Sequence, residues 1–170
     1  MKHASSAEVV LAGSTTKKAV VRRFDRESLA GYVNPSTFQQ LAGIELLSAE
    51  GNVVTVPYVE IKTVSFVREF DAGDEDTRRT FLTRPKMGGL WMSFQFRDGE
   101  ILEGVMPNNL LPVDPHGFTV IPPDPYSNQQ RVFIPRAALR SVEVLGVVGS
   151  PLKKRKPKLP SKEQIGLFDE

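Results

Sequence analysis

The sequence has no cysteine. That excludes disulfides, thiolate zinc sites and cysteine nucleophiles outright. It has two histidines, His3 and His116, far apart along the chain. A histidine-built metal site or a Ser-His-Asp constellation would rest on His116 alone, so neither is expected. Phosphate-cradling loops are missing as well, because Gly88-Gly89 has no Lys-Ser/Thr after it. No apolar run approaches the roughly 18–20 residues that a membrane helix needs. The run VVLAG at 9–13 is too short for a secretory leader. Net charge is only +2, which gives no chain-wide basic field for nucleic acid. These absences point to a cytoplasmic protein that is not an enzyme, holds no metal or cofactor and enters no membrane.

What is present begins with a hydrophobic fraction of 40%, enough for a packed core. Two pairs of segments match each other. AVVRRFDRESLAGYV at 19–33 aligns with MSFQFRDGEILEGVM at 92–106, setting Asp25 on Asp98, Leu29 on Leu102 and Gly31 on Gly104. Each reads as a strand, a turn and a second strand, and Asp98-Gly99 is a strong hairpin signal. VTVPYVEIKTVSF at 54–66 aligns with VFIPRAALRSVEV at 132–144, setting Pro57 on Pro135, Lys62 on Arg140 and Val64 on Val142. The offset grows from 73 to 78 between the two matches, so the second copy carries five extra residues in its turn-rich middle, PVDPHGFTVIPPDPYSNQQ. Middle strands are expected at GIELLS and GFTVIP, and Pro57 and Pro135 suit the first position of a single helical turn. An internal repeat implies repeated structure. The expectation is an all-β chain of two tandem small β-barrels.

The order of hairpin, strand with glycine, proline-led turn and closing strand resembles the SH3-like and Sm-like small barrels. DGEILEGVM resembles the first Sm motif and RVFIPRAALRSVEVL the closing one. Residues from FRDGEILEGV to RSVEVLG also resemble uncharacterised bacterial domains that accompany signalling proteins. Sm proteins offer an Asp and an Asn after the first hairpin for base contact. Here Asn108 and Asn109 follow Pro107 instead. Arg22 and Arg23 resemble the arginines of PilZ barrels that bind cyclic dinucleotides, without the Asp/Asn-x-Ser-x-x-Gly motif that accompanies them there.

Three further clusters carry groups capable of chemistry. Asp71, Asp74, Glu75 and Asp76 lie between the copies and read as a solvated linker, since they lack the glycine and glutamate spacing of a calcium loop. Glu100 and Glu103 fall on opposite sides of a strand, a poor arrangement for acid–base work. DPYSNQQR at 124–131 is a candidate ligand loop. Tyr126 offers a stacking face, Asn128 and Gln129 can read polar edges, and Arg131 can meet an anion. The alternative there is a self-capped turn.

After Gly149 the composition changes. SPLKKRKPKLPSKE at 150–163 carries three prolines and the cations Lys153, Lys154, Arg155, Lys156, Lys158 and Lys162. Proline and like-charge repulsion keep such a segment extended. Removing its six cations from the whole-chain +2 leaves −4, so a basic tether follows a mildly acidic body. Its KKRK also resembles a monopartite nuclear-import signal. At the end of the tether stands QIGLF, Gln164, Ile165, Gly166, Leu167 and Phe168. It resembles, at all five positions, the peptide by which bacterial replication and repair proteins dock on the β sliding clamp. Such a match arises by chance roughly once in tens of thousands of positions. The resemblance implies that these five side chains bind the clamp, with Lys153, Lys154, Arg155, Lys156 and Lys158 beside the DNA phosphates that the clamp encircles. The alternative is a tail that folds back on the second barrel.

The expected organisation is therefore a loose arm at 1–16, a first barrel at 17–70, a linker at 71–89, a second barrel at 90–148, a tether at 149–163 and a clamp-binding peptide at 164–170. The expected role is an adapter in DNA replication or repair. The rival role is a signalling, nucleotide-binding or RNA-binding small-barrel protein.

Overall fold

The computed structural model describes residues 15–71, 77–124 and 126–149. These residues hold ten strands, two 3₁₀ turns and no α-helix, so the fold is all-β. In the first half, β1 (Lys17–Arg23), β2 (Ser28–Val33), β3 (Ile44–Leu47) and β4 (Val53–Val56) pair in sequence, antiparallel. A 3₁₀ turn at Tyr58–Glu60 then leads into β5 (Ile61–Val67), which returns to pair with β1. In the second half, β6 (Gly89–Phe96) pairs with β7 (Ile101–Met106), and β8 (Gly117–Val120) pairs with β9 (Gln129–Pro135). Val105 and Ile121 make a single bridge at the end of β8. A turn at Arg136–Ala138 leads into β10 (Leu139–Val148), which returns to β6.

The strands do not sort into separate sheets by halves. β9 pairs with β5, with Val64 opposite Phe133, Ser65 opposite Val132 and Phe66 opposite Arg131. One seven-stranded sheet therefore runs β4-β3-β2-β1-β5-β9-β8, beside a three-stranded sheet β10-β6-β7. The sequence shows why β5 and β9 sit centrally. Residues 63–67 are buried without alternation, as are 132–135. Strands covered on both faces carry such continuous runs. β6 instead alternates buried and half-buried positions from Leu90 to Phe96, as a strand with one core face does.

Two core clusters result. The first gathers Val21, Ile44, Leu46, Ile61, Val64 and Phe66 from the first half, together with Phe133 from β9. Phe38 meets Phe66 and Phe133 edge to face, with ring centroids 5.6 and 5.4 Å away. The second gathers Met92, Phe94, Phe96, Val120 and Ile134, and Phe24 from the first half packs against it. Each half thus lends an aromatic side chain to the other.

Candidate functional site

The seam between the halves is where side chains of different elements converge. On one side of the β5–β9 pair lies a cleft of about 770 Å³ whose lining includes Phe38, Phe66, Met106, Phe118 and Arg131. On the other side lies a cleft of about 380 Å³ lined by Ser65 and Val132 and ringed by Arg22, Arg23, Arg26, Arg78 and Arg79. Paired residues of antiparallel strands share a face, so Phe66 and Arg131 look into the first cleft and Ser65 and Val132 into the second.

Lys62 organises the smaller cleft. It stands at a register shift in the β1–β5 pairing, where Arg22 opposes Thr63 and Arg23 opposes Ile61. The bulge releases Lys62 from the ladder. Its ammonium donates to Asp98 (2.6 Å) and Glu100 (2.5 Å) on the β6–β7 turn. The rings of Phe96 and Phe24 flank it at 5.2 and 5.9 Å. Arg79 also pairs with Glu100. Burial alone would raise the Asp98 carboxyl, but the Lys62 hydrogen bond, the Glu100 backbone N–H and the charge of Lys62 together hold it below the ordinary range. The Lys62 hydrogen bond is the main cause that lowers Glu100; burial opposes it and Arg79 adds to it. Both acids therefore stay ionised and partly offset the surrounding arginines.

Arg97 makes the reverse crossing, from the second half to the first. Its guanidinium lies 3.8 Å from the Phe24 ring centroid and donates to the Val59 carbonyl at 2.5 Å. Such stacking on an aromatic face suits a planar guanidinium. Nearby, His116 stacks on Tyr58 at 4.7 Å, and the Tyr58 hydroxyl donates to the Gln40 carbonyl. His116 is thus a packing residue of the seam.

The candidate ligand loop is divided. Tyr126 is 89% exposed. Asn128 is committed to the backbone: its Oδ1 accepts from the Arg68 and Glu69 N–H groups, and its Nδ2 donates to the Glu69 carbonyl at 2.7 Å. The Asp124 carbonyl accepts from the Ser127 backbone N–H and hydroxyl, a self-capped turn. Gln129 and Arg131 belong to β9, where Gln129 lines the smaller cleft and Arg131 the larger. The four residues are thus not brought together in one site.

Glu100 sits in the turn and Glu103 on β7. Glu103 accepts from the Trp91 indole N–H (3.1 Å) and the Phe81 backbone N–H (3.0 Å). With Glu103 N–H donating to the Arg79 carbonyl, it fastens part of the connecting segment to β7. Asp71 lies among the described residues, while Asp74, Glu75 and Asp76 lie outside them. The tether cations Lys153, Lys154, Arg155, Lys156 and Lys158, and the peptide Gln164, Ile165, Gly166, Leu167 and Phe168, also lie outside the described residues.

Lys62, Arg97 and Phe24 were missed by sequence reasoning. The available signal was Lys62 itself, a cation inside the otherwise buried run of β5. Residues 15–146 match the family described as "Family of unknown function (DUF6982)". No curated protein and no solved structure matches the chain.

Proposed function

We propose, for a chain that belongs to this family of unknown function (DUF6982), the role of a non-enzymatic adapter that docks on the DNA sliding clamp and serves replication or repair. Its body is read as two small SH3-like or Sm-like barrels that arose by internal duplication and joined edge to edge. Several paired backbone details support the duplication. The Phe24 N–H donates to the Glu60 carbonyl, and the Arg97 N–H to the Ala138 carbonyl. Asp25 accepts from the Glu27 N–H as Asp98 does from that of Glu100. The hairpin turns place Arg26 at φ 71° and Gly99 at φ 92°. Register shifts fall at Arg22/Arg23 opposite β5 and at Leu139/Ser141 in β10. Pro57 and Pro135 share φ and ψ within a degree.

The observation that carries the clamp reading is the five-for-five match of QIGLF at the end of a proline-bearing, six-cation tether. Leu167, Phe168 and Ile165 supply apolar anchors, and Gln164 supplies an amide for fixed polar partners. A short segment that orders on binding suits micromolar affinity, about −8 kcal/mol. The tether cations then lie beside the encircled DNA and contact its phosphates.

The test is capture of the purified clamp by the intact chain and by Leu167→Ala/Phe168→Ala. Capture by the intact chain and loss in the variant are expected, with unchanged melting temperature. A fall in melting temperature, with no clamp captured by the intact chain, overturns the adapter reading in favour of a back-folded tail. The arginine-lined smaller cleft favours a second reading, binding of a nucleotide or RNA phosphate. Protection of the melting temperature by a cyclic dinucleotide or a short RNA, lost in Arg26→Ala/Arg78→Ala, would support it.

A further inference from the structure

The β5–β9 contact joins two different surfaces. The fifth strand of one half meets the fourth strand of the other. A heterologous contact of this kind leaves the same two surfaces unused at the far ends. Here those are β4 in the first half and β10 in the second. β4 ends the seven-stranded sheet and β10 ends the three-stranded one. We propose that β10 of one copy of this chain adds to β4 of the next, head to tail, reproducing between copies the seam already built within one. The inference rests on reading the halves as copies.

Carrying the observed register over by the offset of 78 puts Val142 opposite Thr55, Glu143 opposite Val54 and Val144 opposite Val53. Val144 and Val53 replace the Phe66–Arg131 pair. They are 58% and 66% exposed, and their neighbours Leu145, Val147 and Val54 are exposed too. Edge strands bearing apolar side chains template further strand addition unless charges or proline blunt them. β4 is four residues long and carries neither, and the ten residues of β10 carry two charges, Arg140 and Glu143.

The charges of the seam also carry over. Lys62 of β5 reaches Asp98 and Glu100 of the other half. Its counterpart Arg140 is exposed, and the counterparts of the two acids, Asp25 and Glu27, are 57% and 71% exposed while sharing Arg23. The stack of Arg97 on Phe24 is made within each copy and adds nothing between copies. Apolar pair and ion pair therefore fit the same occupant, a second copy.

The experiment is mass measurement by light scattering after gel filtration, over a range of concentrations, on the full chain. The wild type is expected to exceed twice the chain mass as concentration rises, because each copy keeps one open edge. Val53→Lys blocks β4, Val144→Lys blocks β10, and each variant alone is expected to be monomeric. An equimolar mixture is expected to form dimers and nothing larger, since one β10 and one β4 remain to pair. A monomeric wild type overturns the proposal. So does a mixture that stays monomeric, or a single variant that still forms a dimer, which would indicate a symmetric contact. Unchanged circular dichroism and melting temperature verify folding, with Val53→Ser and Val144→Ser as substitutes if a lysine variant misfolds. Superposing the halves in an experimental structure tests the duplication separately, and neither measurement depends on the clamp.

Discussion

β5 is buried at every residue but Lys62, while β10, which occupies the corresponding place in the second half, keeps Val144, Leu145 and Val147 exposed. β9 and β4 differ in the same way: Phe133 is fully buried, whereas its counterpart Thr55 is exposed. β5 and β10 each follow a 3₁₀ turn and return to the first strand of their half. What differs is whether another strand lies alongside. Burial here is a property of the neighbour as much as of the strand, and the residue choices follow it. The covered edge carries Phe133, and the open edge carries Thr55.

The sharpest way to break the comparison is to remove the aromatic that crosses the seam. Phe133→Ala should cost about 3–5 kcal/mol, because it empties a fully buried site of the first core where the ring meets Phe38 edge to face. Thr55→Ala, at the matching position, should stay within about 0.5 kcal/mol. Denaturant unfolding of both variants measures the difference; equal costs would mean the seam does not set the energetics.

A second comparison uses the matched glycines. A Cβ on Gly31 would lie 2.5 Å from the Leu47 carbonyl oxygen, which is backbone. On Gly104 it would meet Val120 Cγ2 at 2.5 Å and Cβ at 2.7 Å, on a valine that is fully buried. A β-branched side chain held in the core cannot swing aside. Gly31→Ala and Gly104→Ala should therefore both destabilise, by about 1–3 kcal/mol each. Thermal melts of the pair check this, and an unmoved melting temperature in either would break the match.

Acid should weaken the seam next. Asp98 and Glu100 are held below the ordinary carboxylate range when folded. The folded state thus binds fewer protons than the unfolded state near pH 4, and the contribution is present above that range and lost as pH falls through the folded values. Both carboxyls are more than a third exposed, so solvent screening limits the loss to less than about 1 kcal/mol. Melting temperature against pH should show this step in the wild type and a smaller one in Lys62→Met. The smallest effect is expected at the tail, where Leu167→Ala/Phe168→Ala should leave the melting temperature unmoved.

Much of this was legible beforehand. Alternation in MSFQF, the Asp98-Gly99 turn and the proline-led turns at Pro57 and Pro135 gave the all-β class and the strand order within each half, because these signals act over a few residues. The tail peptide and its basic tether lie outside the described residues. The pairing of β9 with β5 was not legible, although the unbroken run VFI at 132–134 hinted at burial on both faces. Nor was the placing of Asn128, which reads as a free amide in its loop and instead clamps Arg68 and Glu69.

The sequence by itself determined which segments become strands, where they turn and where glycine must stand for strands to approach. Only the tertiary structure decided which edge met which. Strand edges offer the same backbone N–H and C=O groups whatever their side chains, so pairing between distant strands is selected by packing across the seam. Phe133 entering the first core, Phe24 covering the second and Lys62 reaching the Asp98 turn made β5 and β9 partners. Those contacts exist only once both halves have folded against each other.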